Sequence, residues 1–134
     1  MEKLVNNLGE YWITEEGVLY KKVKENAHID LIELKKSLTQ IKEFTGHKKI
    51  LMFYDGRGTH FTVTHEAMEY YRTEVAAYSI ASAIVSDRIG VRVMVDFAVK
   101  IMGVPSPVKM FKDAEKAMKW LLTFKKVEAN LSVR

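Results

Sequence analysis

Asp87-Arg88-Ile89-Gly90-Val91-Arg92-Val93-Met94-Val95-Asp96-Phe97-Ala98-Val99-Lys100-Ile101-Met102 can be read two ways, and the choice decides the fold. Val91, Val93, Val95, Phe97, Val99 and Ile101 alternate, as in a strand; Ile89, Val93, Phe97 and Ile101 recur every fourth residue, as in a helix. A strand over 89–102 would far exceed the usual run of about five or six residues. Gly103 followed by Pro105 is a helix stop. The segment is therefore predicted to be a helix. Such a helix is apolar over much of its circumference, so it is either deeply buried or part of an interface.

Working outward, Ser79-Ile80-Ala81-Ser82-Ala83-Ile84-Val85-Ser86 reads as a buried strand of small residues, and Val108-Lys109-Met110-Phe111 as a short one. The helix between them is then a crossover joining parallel strands. Asp113 caps a last helix with Ala114, Ala117, Met118, Leu121 and Phe124 inward and Lys112, Lys116 and Lys119 in water. Upstream, Ile50-Leu51-Met52-Phe53-Tyr54 is a central strand running into Asp55-Gly56-Arg57-Gly58. Thr64 caps the next helix, whose inner face is Ala67, Tyr71 and Val75. Asp30, with Glu33 at capping-box spacing, opens a helix carrying Leu31, Leu34, Leu38 and Ile41, which Gly46 closes. Tyr11–Thr14 and Val18–Tyr20 form a hairpin across Glu15-Glu16-Gly17. The fold class expected is α/β: a mixed sheet of about five strands, an N-terminal hairpin and about four helices. One domain spans 1–134, with 1–9 and 127–134 as loose termini.

The 134 residues suffice for one hydrophobic core without a metal or disulfide staple. Cysteine is absent, which excludes disulfides, thiolate metal sites and cysteine nucleophiles and suits a cytoplasmic protein. The N-terminus has no apolar core of signal-peptide length. The longest uncharged run, Val75–Ser86, is too short to span a bilayer. The net charge of +4 comes from dispersed lysines, including Lys21-Lys22-Lys24, Lys48-Lys49 and Lys125-Lys126. These read as a solvated surface rather than a nucleic-acid face, which needs clustered charge with interleaved aromatics.

The close Phe111-Lys112-Asp113-Ala114-Glu115-Lys116-Ala117-Met118-Lys119-Trp120-Leu121 resembles the F-x-D-x-x-x-A-x-x-W-L ending of small bacterial STAS-like proteins, relatives of the sulfate-transporter and anti-sigma-factor-antagonist domain. Phe53-Tyr54-Asp55-Gly56-Arg57-Gly58 resembles that group's strand ending in Asp and a Gly turn, and Ala83-Ile84-Val85-Ser86-Asp87 its next strand. The resemblance covers roughly residues 10–125 and implies a STAS-like fold in a group that is largely uncharacterised. Anti-sigma-factor antagonists carry Asp-Ser-x-Gly at this loop and are phosphorylated on the serine. Here the loop from Asp55 to Thr64 has no serine. Thr64 is the remaining phospho-acceptor candidate, at a helix start where backbone N–H groups favour an anion; a plain N-cap is the alternative. The group's architecture is also similar to lipid-transfer CRAL-TRIO domains, which implies a carrier.

In open α/β sheets ligands bind beyond the carboxyl ends of the strands. There Asp55, Arg57, His60, Asp87 and Arg88 could converge; an Asp–Arg surface network around a turn is the alternative reading. Gly56-Arg57-Gly58-Thr59-His60-Phe61 has Phe where the third glycine of a dinucleotide loop belongs, so no nucleotide cofactor is expected. His28, His47, His60 and His65 make neither an HExxH nor an i,i+4 pair and read as exposed loop histidines, though His60 and His65 could meet by folding; no Gly-x-Ser-x-Gly elbow exists. The expected function is a non-enzymatic binding or regulatory module acting through protein contacts, as a homodimer. The loop 55–64, the start of the next helix and the apolar helix would be its working surfaces. One alternative is a carrier of a small apolar or lipid-like ligand, which needs a cavity of about 300 Å3 or more. The other is an enzyme using Asp55, Arg57 and His60, which needs His60 within about 3.2 Å of a carboxylate in a cleft.

Overall fold

The computed structural model describes residues 1–125. Three strands open the chain: β1 (Leu4–Asn6), β2 (Gly9–Ile13) and β3 (Val18–Val23). They are followed by β4 (His28–Ile29), α1 (Leu31–Phe44), β5 (Ile50–Asp55), β6 (Thr62–Val63) and α2 (His65–Tyr70). Helix α2 continues through a π-turn (Tyr71–Val75) into a last α-turn (Ala76–Tyr78). Then come β7 (Ser79–Val85), α3 (Ile89–Phe97) extended by a second π-turn (Ala98–Met102), β8 (Val108–Phe111) and α4 (Ala114–Leu122). Among the described residues, no helix is long and apolar enough to cross a membrane.

The ambiguous segment is helical. Its extended alternative would have had to pair beside β7, the edge that β8 takes in parallel register, with Ile84 opposite Met110. The six-stranded sheet runs β1-β2-β3-β5-β7-β8, antiparallel up to β3 and parallel from there. Helices α1, α2 and α3 are the three crossovers between its parallel strands. The mixed α/β architecture is the one expected, with one more strand in the main sheet and a separate two-stranded pair, β4–β6.

Residues 1–9 differ from the loose terminus expected. Leu4–Asn6 pairs with Gly9–Tyr11, Leu8 is fully buried, and Asn6 Oδ1 accepts from the Leu8 N–H at 2.9 Å. A three-residue strand is too short for alternation to reveal it, and the buried Leu8 anchors it. The other expected loose end, 127–134, lies outside the described residues.

The sheet divides the interior by strand parity. Leu19 and Met52 pack with Leu34, Leu38 and Ile41 of α1 and Ala67 and Val75 of the α2 segment. On the same face, Ile84 and Met110 meet Val91 and Val95 of α3. Val18, Leu51, Phe53, Ala83 and Val85 point the other way, onto Ala117 and Leu121 of α4. The caps form where sequence put them: Asp30, Thr64 and Asp113 each accept backbone N–H groups of the first turn. Helix α1 ends in a Schellman turn, with Gly46 at φ +67°, the Gly46 N–H donating to Glu43 O and the His47 N–H to Lys42 O.

Candidate functional site

At the carboxyl end of β5, Asp55 is buried on the α4 face. Arg57 grips it through two parallel bonds, Nε to Oδ1 and Nη2 to Oδ2, each at 3.0 Å, and its backbone N–H donates to Oδ1 at 3.1 Å. Tyr20 Oη donates to Oδ2 at 2.6 Å, and Lys22 Nζ stands 3.7 Å from Oδ1. Register explains the set, because Lys22 lies opposite Asp55 across the parallel β3–β5 ladder. Burial works to raise the Asp55 pKa, but the bonds from Arg57 and Tyr20 outweigh it and hold the carboxyl well below the usual range. Burial and the bond to Asp55 push Tyr20 up to about 12. Tyr20 also stacks between Trp12 and Phe53, with ring centroids 4.7 Å apart on each side. A carboxylate so fully engaged is a poor proton carrier and a good structural tie.

The remaining sequence-nominated residues do not join this cluster through any bond. His60 Nδ1 meets Glu25 Oε1 at 3.2 Å, but both side chains are more than half exposed, so the pair sits on the surface rather than in a cleft. Thr64 Oγ1 accepts from the Ala67 N–H at 3.1 Å. Arg88 Nη1 donates to Phe61 O at 3.2 Å and the guanidinium lies over the Phe61 ring. Asp87 is exposed at the turn into α3, and Ser86 Oγ accepts from the Arg88 N–H. The loops themselves are locked: the Asn26 N–H donates to His60 O, the Thr62 N–H to Ala27 O and the Thr64 N–H to Ile29 O, which builds the parallel β4–β6 pair. Among the described residues no three of His, Asp or Glu converge as metal donors.

On the opposite sheet face lies a cavity of about 110 Å3 between the sheet and α1, α2 and α3. Its wall is mostly aliphatic and aromatic, and both π-turns contribute, Tyr71, Arg72 and Val75 from one and Ala98 and Val99 from the other. Lys21 enters this wall from the middle of β3 at only 5% exposure, which corrects its reading as a surface lysine. Its neighbours across the ladders are Tyr11 and Tyr54, and Nζ sits 5.1 and 5.9 Å from those ring centroids. The signal was present in the alternation Leu19, Lys21, Val23, which puts Lys21 on the core face of β3, but the adjacent lysines hid it.

Helix α3 presents a third feature. Its inward residues Val91, Val95 and Ala98 are buried, while Ile89, Val93, Phe97 and Ile101 are 79%, 63%, 55% and 70% exposed. The every-fourth-residue pattern that identified the helix is thus its outer stripe.

Residues 11–125 match the family described as Domain of unknown function (DUF7793), and the chain belongs to it. Among solved structures, the chain is similar to an uncharacterized protein from the DUF3478 family with a SpoIIAA-like fold, from Shewanella loihica PV-4. The two share 12% identity at a TM-score of 0.56, over 83% of this chain and 90% of that one. The likeness shows the fold: a SpoIIAA-like, STAS-type domain of unknown function. No curated protein matches the chain.

Proposed function

We propose that this chain is a single-domain, non-enzymatic interaction module of the cytoplasm that regulates through protein contacts, with α3 as its contact surface and a second copy of the chain as its partner. The observation that carries the reading is the exposed stripe Ile89, Val93, Phe97, Ile101. Large aliphatic and aromatic groups aligned on one helix favour a protein partner over water. Antiparallel pairing about a two-fold axis at the middle of the stripe sets Val93 opposite Phe97 and Ile89 opposite Ile101. Arg92 and Asp96 flank the stripe, and neither forms a salt bridge among the described residues. The same two-fold brings Arg92 of one copy towards Asp96 of the other, so the stripe's edge is self-complementary in charge.

Native mass spectrometry and light scattering test this. Wild type is expected at twice the chain mass, and Val93→Lys with Phe97→Lys, which sets like charges opposite each other across the two-fold, at the single mass with an unchanged circular dichroism spectrum. A wild-type monomer across micromolar concentrations, or a dimer that survives both substitutions, overturns the proposal. The strand-end group Asp55, Arg57 and Tyr20 supports a structural rather than a chemical role, since every oxygen of the carboxylate is already engaged.

A further inference from the structure

We infer that the cavity beneath α2 is a binding site for a small organic acid, its carboxylate held by Lys21 and its compact hydrocarbon body packed against the apolar wall. Lys21 is the first observation. The Lys21 residue is only 5% exposed, and a lysine so far withdrawn from water is costly to keep charged unless an anion or several acceptors compensate it. Among the described residues no carboxylate or other acceptor bonds Lys21 Nζ; the groups it faces are the rings of Tyr11 and Tyr54. Those rings hold a cation in place but do not neutralise it.

Tyr71 is the second observation. Its Oη is the one fully buried side-chain nitrogen or oxygen left without a hydrogen-bond partner among the described residues. Its ring meets Tyr54 edge-on at 5.7 Å between centroids, and the same Tyr54 ring lies 5.9 Å from Lys21 Nζ. Burial pushes the Tyr71 pKa up to about 12, so this hydroxyl is a donor. A carboxylate has lone pairs for both an ammonium and a phenol. The remaining polar groups on the wall are engaged: Tyr11 Oη and Ser37 Oγ share a 2.6 Å bond, and Arg72 Nη1 donates to Gly103 O at 2.9 Å. Lys21 Nζ, which has no acceptor bonded to it, and the buried Tyr71 Oη are thus the donors a ligand would satisfy.

Shape sets the size of the body. A cavity of about 110 Å3 is smaller than the roughly 150 Å3 apolar cavity that accommodates benzene. It suits a branched acid of about six heavy atoms and is far too small for a lipid chain. Both π-turns border it, and such turns recur at ligand sites because they widen a helix locally and re-aim its side chains.

The full chain is titrated with isobutyrate at neutral pH, followed by amide NMR shifts and by thermal unfolding. Isobutyramide serves as the uncharged isostere and decanoate as the long-chain acid. Isobutyrate is expected to saturate, to shift amides around Lys21, Tyr54 and Tyr71, and to raise Tm; the amide and decanoate bind at least about tenfold more weakly. Lys21→Met removes the charge at nearly the same length, so it should melt no lower than wild type and lose isobutyrate by at least about tenfold. Tyr71→Phe should keep the fold and weaken isobutyrate measurably. The inference fails if isobutyrate does not saturate, if isobutyramide or decanoate binds as well, or if Lys21→Met and Tyr71→Phe both bind unchanged. It also fails if Lys21→Met melts well below wild type, which would make Lys21 a packing residue.

Discussion

Asp55 shows how one residue ties the sheet's end together. It accepts from Tyr20 on the neighbouring strand and from Arg57 in the following turn, with Lys22 beside it. Asp55→Asn should cost about 1.5–3 kcal/mol at pH 7, the usual worth of hydrogen bonds to a charged group. Because the folded-state pKa is depressed, this stability is fully present above the ordinary Asp value of about 4 and fades as the pH falls below it. Urea unfolding at pH 7 should therefore separate the two proteins, and the gap should close progressively below pH 4. A gap independent of pH would mean that packing, not charge, carries the contribution. Thr64 gives a second residue-scale prediction: Thr64→Ala should cost about 1 kcal/mol through loss of the cap and leave the mass of the native assembly unchanged. The Asp–Arg pairing at this turn was legible in the sequence, because the two residues flank a glycine at a strand end. Lys21 was not, since a string of lysines looks the same in one dimension whether its middle member points to water or to the core.

Among the elements, the helices announced themselves more clearly than the short strands. Asp30, Thr64 and Asp113 named three helix starts because a capping side chain acts on its own first turn, a local interaction that sequence records directly. The α3 segment was decidable by length and by its Gly103 stop, although its valines are intrinsically strand formers. Strands β4 and β6 were illegible, being two residues each and existing only because two distant loops meet. The π-turns left no local signal either. At the β1–β2 turn, Gly9 sits at φ +152°, and an added Cβ would fall 2.1 Å from the Lys22 carbonyl oxygen. Gly9→Ala must push two backbones apart, so a loss of more than about 2 kcal/mol is expected in chemical denaturation. An ordinary loss of a few tenths would mean that the β2–β3 ladder yields locally.

At the scale of the whole molecule, the proposed pairing through α3 would make stability depend on protein concentration. Calorimetric Tm should rise as the chain is concentrated, and the dependence should vanish in the Val93→Lys, Phe97→Lys variant. The crossover order that fixes this architecture could be read from alternating hydrophobic periods, but which face of α3 meets the core could not, because valine and isoleucine line both of its sides. The β4–β6 bridge carries one more consequence. The segments after β3 and β5 are laced by backbone bonds at Asn26–His60, Ala27–Thr62 and Ile29–Thr64. Neither can be transplanted singly: a chimera that takes one loop from a relative inherits half a zipper, and only exchange of both together should graft cleanly.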